Sequence, residues 1–215
     1  LKNASPEKIE ASFNRIWKCK QKAGLFDLKP TNASPFNFEK TVELNFEIAK
    51  NCITKIKDNN AVKMLFDAKK RNSLAKISLY KNTDNVFFKT IATELDSPEF
   101  CIEMGDDLTN GIVEKNTADF DTILIALFVP KAKPLNNFDM EDAVLSFLEK
   151  LFPTKNCVLY VFGNPYALQV IPNLVQATGI VQMYQDFTEF QECAGQQLLS
   201  NSACNGSLPV VISNL

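Results

Sequence analysis

The feature that most constrains the fold is a series of short apolar runs, alternating with segments of helical periodicity, that begins near residue 74. The run at 122–129 is apolar on both faces, as expected when helices cover both sides of a mostly parallel sheet. Six runs are predicted as strands: 75–80, 100–104, 122–129, 157–162, 179–184 and 208–212. Helices are predicted near 84–95, 139–151, 166–176 and 188–199. The sequence therefore predicts an α/β fold, a three-layer sandwich around a mostly parallel sheet.

A separate amphipathic helix is predicted ahead of this series, over residues 5–23. Ser5 is a suitable cap, and Pro6 occupies the first helical position without losing a hydrogen bond. Gly24 is placed to end the helix. Four apolar residues recur at helical spacing and share one face: Ile9, Phe13, Ile16 and Trp17.

The next segment separates this helix from the rest of the chain. Residues 25–37 hold two prolines and several turn formers, which is typical of a linker. A second helical pattern covers 42–56 and ends in the turn-like residues 58–60. We predict a terminal helix at 1–24, a linker at 25–37 and a sandwich domain at 38–215.

Composition and charge exclude several classes of partner. Lys and Arg total 23 against 25 Asp and Glu, and the basic residues are scattered, so a nucleic acid is not expected to bind. The longest apolar run, 122–129, is far shorter than the ~20 residues of a membrane helix, so no membrane span is expected. The polar residues after Leu1 do not fit a signal peptide, and we interpret the amino terminus as a cut.

The common catalytic and cofactor motifs are missing from the sequence. There is no His, no G-x-S-x-G nucleophile motif and no glycine-rich phosphate loop. We therefore predict no catalytic residue and no cofactor. The six cysteines form no C-x-x-C pair, so no metal site is expected; buried free thiols are the favoured interpretation, and their redox state stays open.

Acid–base chemistry would have to rest on carboxylates at loop positions. The candidates are Asp106, Asp107, Asp139, Glu141, Asp142, Asp186 and Glu189. Each has a simpler explanation as a helix cap, a first-turn residue or a solvated turn. We predict Asp139 as a cap with Glu141 and Asp142 in the first turn, and none of the set as a catalytic acid.

The tetrapeptide Gly163-Asn164-Pro165-Tyr166 directly follows the apolar run 157–162 and precedes a helical pattern. It is therefore predicted to lie at the carboxyl end of a strand, where open α/β sheets bind ligands. A simple strand-to-helix turn explains the same residues and is favoured for the chain taken alone. Asn164 and Tyr166 are the residues to test first for an interface or cleft role.

Three stretches of the chain resemble glycoside hydrolase family 3, in the β-N-acetylglucosaminidase form of the Bacteroidetes type. Residues 1–26 are similar to the last helix of the family's barrel, and 45–58 to the helix that opens its second domain. The most specific stretch is Phe-Gly-Asn-Pro-Tyr at 162–166, with Tyr-Gln-Asp at 184–186 and Gly-Ser-Leu-Pro-Val at 206–210.

This resemblance implies a carboxy-terminal α/β sandwich preceded by the end of a catalytic barrel. Its partners would be the barrel domain of the same polypeptide and the carbohydrate substrate of that parent. Asn164, Tyr166 and Asp186 would bind substrate or lie at the domain interface, and a periplasmic or extracytoplasmic location is implied. The family's catalytic residues do not map onto the chain: the loop at 129–140 lacks the Glu that other branches carry. The fragment alone is expected to be inactive.

Two alternatives remain open at the level of sequence. One is a free-standing module that binds a carbohydrate or another small molecule at the carboxyl edge of the sheet. The other is a flavodoxin-like enzyme with an unrecognised cofactor, against which the missing phosphate loops count.

Overall fold

The structure, a computed structural model, describes residues 5–27, 37–108 and 111–213. The chain divides into two compact units, Leu1–Asn37 and Phe38–Leu215. None of the helices in the described part is long and apolar enough to cross a membrane.

The first unit contains helix α1, Pro6–Lys22. It begins as predicted: the Ser5 hydroxyl accepts a hydrogen bond from the Lys8 backbone N–H at 3.4 Å. No side chain of α1 is buried, and its apolar face is about half exposed. Trp17 stacks on Phe13 and contacts Phe26, with ring centroids 5.6 and 4.4 Å away. The assignment of residues 1–24 to a barrel stays a prediction.

The second unit is built on one six-stranded sheet, which confirms the predicted α/β class. The strands are β1 Thr54–Asp58, β2 Leu74–Leu79, β3 Glu99–Ile102, β4 Thr122–Phe128, β5 Asn156–Phe162 and β6 Gly179–Gln182. Their order across the sheet is β1-β6-β5-β4-β2-β3. All neighbouring pairs are parallel except β1, which runs antiparallel to β6 at one edge.

Helices cover both faces of this sheet. They are α2 Phe38–Cys52, α3 Ala61–Lys70, α4 Val86–Ile91, α5 Ile112–Asn116, α6 Asp142–Leu151 and α7 Thr188–Ser200, with short 3-10 turns at Leu135–Asp139, Pro165–Val170 and Leu174–Gln176. Alternate residues of the central strands point to opposite faces, so Ile123 and Ile125 join the core under α6 while Leu124 joins the core under α2, α3, α4 and α7. The second unit is thus the predicted three-layer sandwich.

Two elements near the start of the sheet differ from the prediction. The second helix ends at Cys52; of the later residues in its predicted pattern, Ile53 lies between the two elements and Thr54 to Ile56 belong to strand β1. Thr54 to Asp58 are extended because they pair with β6. Helix α3 was not predicted; Ala61, Leu65 and Ala68 form its buried face.

Two predictions in the carboxy-terminal third were also wrong. Residues 166–176 do not form one α-helix but two 3-10 turns, Pro165–Val170 and Leu174–Gln176, because Pro172 between them cannot continue a helix. Residues 208–212 are not a strand, since β1 already pairs with β6 at that edge and Pro209 has no N–H to donate.

These last residues belong to a segment that we call the carboxy-terminal strap, residues 201–213. Its Cys204 packs on the core under α7, whereas Leu208 and Ile212 pack on the core of the opposite face. Between them, the Gly206 N–H donates to the Ile53 carbonyl at 3.0 Å, beside the start of β1. The strap therefore rounds the β1 edge of the sheet and joins its two faces.

Candidate functional site

The carboxyl ends of the parallel strands lie at one edge of the sheet, and the loops that follow β4, β5 and β6 enclose an open groove there. The groove has a volume of about 570 Å³ and is lined by residues 129–132, 162–166 and 184–186. Asn164, Tyr166 and Asp186, the three predicted site residues, all line it. The structure thus brings them together, while their roles stay a prediction.

Gly163 fixes how closely two of these loops approach each other. Its φ is +143°, which side-chain-bearing residues rarely adopt, and a Cβ built on it would lie 2.6 Å from the Cβ of Val129. The Val129 N–H also donates to the Phe162 carbonyl at 2.9 Å. The loops after β4 and β5 therefore contact each other directly, and only glycine fits at 163.

The Asn164 side chain links the same two loops by hydrogen bonds. Its Nδ2 donates to the Ala132 carbonyl at 2.8 Å, and its Oδ1 accepts from the Tyr166 N–H at 2.9 Å. The amide is therefore committed to hydrogen bonds within the protein, which supports the turn interpretation for Asn164. Tyr166 differs, because its side chain is about half exposed along the groove.

Asp186 is the one carboxylate among the residues that line the groove. Its Oδ2 lies 3.6 Å from the Nζ of Lys81, which follows β2, and that ammonium lies 4.8 Å from the ring centroid of Phe128. The Asp186 carbonyl also accepts from Gln191 Nε2 of α7 at 2.6 Å. Asp186 thus ties the loop after β6 to the loop after β2, across the ends of β5 and β4.

Two of the other candidate carboxylates, Glu141 and Asp139, make contacts within the protein. Both carboxylate oxygens of Glu141 accept from the Gly105 N–H at 3.1 Å, and the Glu141 N–H donates to the Tyr80 hydroxyl at 2.8 Å. Burial raises the pKa of Tyr80 to about 12, so this hydroxyl stays protonated at neutral pH. Asp139 was predicted to cap α6 but instead pairs with Lys131, and Glu141 occupies the cap position.

Several residues at this edge have a left-handed backbone conformation, which the sequence does not predict. Tyr80 and Tyr184 follow β2 and β6 with φ of +65° and +64°, and four consecutive residues, 136–139, have φ between +51° and +63°. Such conformations are costly for bulky residues and concentrate at functional sites. The pair Asn136-Asn137 was the available signal, because asparagine tolerates this region; nothing in the sequence marked the tyrosines.

Among the described residues, four of the five loops that follow the parallel strands also expose one large apolar side chain, and the loop after β2 exposes none. They are Met104 after β3 (54% exposed), Leu135 after β4 (70%), Tyr166 after β5 (48%) and Phe187 after β6 (49%). We call these four side chains the carboxyl rim. Exposed apolar groups in such a row are typical of surfaces that meet another protein.

All six cysteines are free, but only Cys157 and Cys193 are buried, so the prediction of buried thiols holds for those two. Across the three described ranges, no group of three or more Cys, Asp or Glu side chains is arranged to hold a metal ion.

The sequence matches no protein-family model and no curated protein, but the structure is similar to solved structures. A glycoside hydrolase family 3 β-N-acetylglucosaminidase from Paenibacillus sp. str. FPU-7 has a TM-score of 0.64 at 13% identity, covering 98% of this chain and 40% of its own. The domain shares its fold with part of a family 3 glycoside hydrolase.

Two further structures extend this likeness. The β-glucoside phosphorylase BglX gives a TM-score of 0.67 at 18% identity, with 98% of this chain and 39% of its own covered. A fungal multi-domain family 3 β-N-acetylglucosaminidase gives 0.65 at 17%, with 98% and 24% covered. The chain thus spans well under half the length of the structures it matches.

Proposed function

We propose that the chain is the non-catalytic carboxy-terminal domain of a family 3 glycoside hydrolase of the β-N-acetylglucosaminidase type. In this proposal residues 1–24 end a catalytic barrel, 25–37 are a linker, and the sandwich packs by its carboxyl rim on that barrel. The groove then borders the active site. The observation that carries the proposal is the fold match, which spans 98% of this chain but only 40% of a family 3 enzyme.

The carboxyl rim supports docking through this edge. It extends from the loop after β3 to the loop after β6, which lie at opposite sides of the parallel strands. With ~4.8 Å between neighbouring strands, the row is roughly 20 Å long. A protein interface of ordinary size buries about 800 Å² on each partner and has an apolar centre with polar groups around it, so a row of this length fits within one.

The chemistry of the groove supports a bordering role in preference to catalysis. Hydrolysis of a glycosidic bond by the usual mechanisms employs two carboxyl groups, ~5 to 9 Å apart, on opposite sides of the anomeric carbon. Among the residues lining the groove, Asp186 is the one carboxylate, and it is paired with Lys81. Tyr166 and Asp186 are therefore assigned to contacts with the substrate or the barrel, and Asn164 to holding the loop that carries Tyr166.

Docking is tested in the parent polypeptide by placing a negative charge on the carboxyl rim. Leu135→Asp and Phe187→Asp are expected to lower kcat/KM and to separate the thermal unfolding of the two domains, because each buries a carboxylate in the interface. Val175→Asp is the matched control: the exposure of Val175 (56%) lies between those of Phe187 and Leu135, but Val175 precedes β6, at the opposite edge of the sheet. Rim variants that behave like this control would refute docking through the carboxyl edge.

The groove is tested in the same polypeptide with Tyr166→Ala and the double variant Asn164→Ala/Tyr166→Ala. Loss of the Tyr166 ring is expected to raise KM with little change in stability, since the ring is half exposed. The double variant should also lose the loop tie to Ala132 and weaken domain docking. Wild-type kinetics and stability in both variants would leave the loop as a turn only.

A free-standing carbohydrate-binding module is the second candidate, and the half-exposed Tyr166 ring in the groove favours it. Titration calorimetry of the isolated chain with N-acetylglucosamine and its β-linked dimer separates the two. Binding that Tyr166→Ala abolishes supports a module. No binding, together with an in-frame barrel encoded upstream of Leu1, supports the docked domain.

A further inference from the structure

Tyr184 lies where the groove and the carboxy-terminal strap meet. It lines the groove described above and also a second open groove of about 430 Å³, whose lining includes Cys52 and Ser207. The Tyr184 side chain therefore forms part of the wall of both grooves. A shift of this one side chain changes the shape of the two grooves together.

The hydroxyl of Tyr184 is held by two segments that are distant in sequence. It forms a 2.7 Å hydrogen bond with Oγ1 of Thr54, at the start of β1, and donates to the Ser207 carbonyl of the strap at 3.4 Å. These contacts hold a backbone that a bulky residue does not adopt unaided, with φ of +64°. The surroundings thus maintain the Tyr184 conformation.

The strap fits tightly against the segment that carries Thr54. The Gly206 N–H donates to the Ile53 carbonyl at 3.0 Å. A Cβ on Gly206 would lie 2.2 Å from the Cys52 carbonyl oxygen, so no larger residue fits while the strap stays in place. Beyond this point Ile212 is buried in the core, which anchors the far end of the strap.

We propose that the strap acts as a latch on the groove. The contacts of Gly206 and Ser207 keep Tyr184 in the left-handed conformation, so release of the strap loosens Tyr184, and displacement of Tyr184 loosens the strap. Because such coupling is reciprocal, a ligand or protein that displaces the Tyr184 ring from the groove also frees the strap. Tyr184 is a positioning residue in this device. The inference is independent of whether a barrel docks on the rim.

Hydrogen–deuterium exchange of the full chain tests the latch from both ends. Tyr184→Phe removes the hydroxyl, and Gly206→Ala displaces the strap without touching the Tyr184 side chain. Each variant is expected to speed exchange roughly fivefold or more in two segments at once, 183–187 and 205–208. If Gly206→Ala does not fold, Thr54→Val replaces it in the test. This variant removes the hydrogen bond to the Tyr184 hydroxyl and leaves the Tyr184 ring and the strap residues unchanged.

Tyr80→Phe is the matched control. Tyr80 has the same left-handed backbone at the end of β2, and its hydroxyl accepts from the Glu141 N–H. Loss of the Tyr80 hydroxyl should speed amide exchange at Glu141 and leave exchange in both latch segments, 183–187 and 205–208, at the wild-type rate. Exchange that rises in only one latch segment of the Tyr184 or Gly206 variants, or in neither, would overturn the coupling.

Discussion

Lys76 is a charged side chain enclosed in the sheet beside a core of phenylalanines. Its side chain is 1% exposed; its Nζ lies 2.6 Å from Oε1 of Glu99 and 5.4 Å from the ring centroid of Phe88. Lys76 and Glu99 are also register partners in the β2–β3 ladder. A buried charge of this kind is tolerated only while its partner is present, so the pair fixes the position of the edge strand β3.

Removing the partner should therefore cost more than removing the charge. Glu99→Gln is expected to lower the free energy of unfolding by about 1–3 kcal/mol, moderated because Glu99 is one-third exposed. Lys76→Met should cost less, since it removes the charge and keeps the packing, and it should rescue Glu99→Gln. Urea denaturation of the two single variants and the double variant measures this. Additive losses would contradict the prediction.

The cysteines should differ widely in reactivity. Burial, with the charges of Glu103 and Asp106, raises the pKa of Cys101 to about 11, and burial raises that of Cys157 to about 12. Because the thiolate is the reactive form, we expect iodoacetamide at pH 8 to label exposed Cys19 first. Labelling of Cys101 should accelerate about tenfold per pH unit up to its pKa. Mass spectrometry measures the order in which the cysteines are labelled, with urea-unfolded protein as the control. Early labelling of Cys157 in the folded chain would contradict this prediction.

At the level of elements, the loops after β4 and β5 depend on Gly163. Gly163→Ala should lower the free energy of unfolding by about 2–5 kcal/mol, because the new methyl group meets Val129 and the φ of +143° is unfavourable for alanine. Gly105→Ala is the matched control, since Gly105 also has positive φ but no atom within 4 Å of the new Cβ; it should cost only about 1 kcal/mol. Equal losses in thermal or urea unfolding would show that the contact with Val129 is unimportant.

Elements with a strong local signal were predictable, and those that depend on distant partners were not. The fully apolar run at β4 and the Ser5-Pro6 helix start were predicted because each carries its own pattern. Strand β1 is not predicted from the sequence because Ile53 and Ile56 also fit a helical spacing, and only pairing with β6 makes Thr54–Asp58 extended. Residues 208–212 of the strap have the apolar pattern of a strand, and nothing in them reveals that the edge of the sheet beside β6 is already occupied by β1.

The site was predictable in part for the same reason. Asn164, Tyr166 and Asp186 lie at or near strand ends, so the rule that parallel strands end at one edge suffices to group them. In the sequence Tyr184 is marked only by the Tyr-Gln-Asp motif at 184–186, and its contacts to Thr54 and Ser207 join three regions of the chain. No pattern in a single sequence specifies such a contact.

For the molecule as a whole, we expect the purified chain to have no glycosidase activity. The groove lining provides one carboxylate, Asp186, already paired with Lys81, and lacks the second group that the usual mechanisms require. The assay uses a chromogenic β-N-acetylglucosaminide and a β-glucoside, with the full-length parent as positive control. Turnover by the pure chain that is lost in Asp186→Asn would show that the groove itself is catalytic.

The strand order also has a consequence for how the sandwich folds. Strand β1 comes first in the chain yet pairs with β6, the last strand, and α2 likewise packs on α7, the last helix. On a ribosome, the early strand therefore waits without its partner until almost the entire domain has been made. Closing so long a loop is slow, so β1 and α2 should join a sheet already formed by β2, β4 and β5. Until then the free side of β6 is an exposed strand edge, the form in which nascent α/β domains are prone to aggregation.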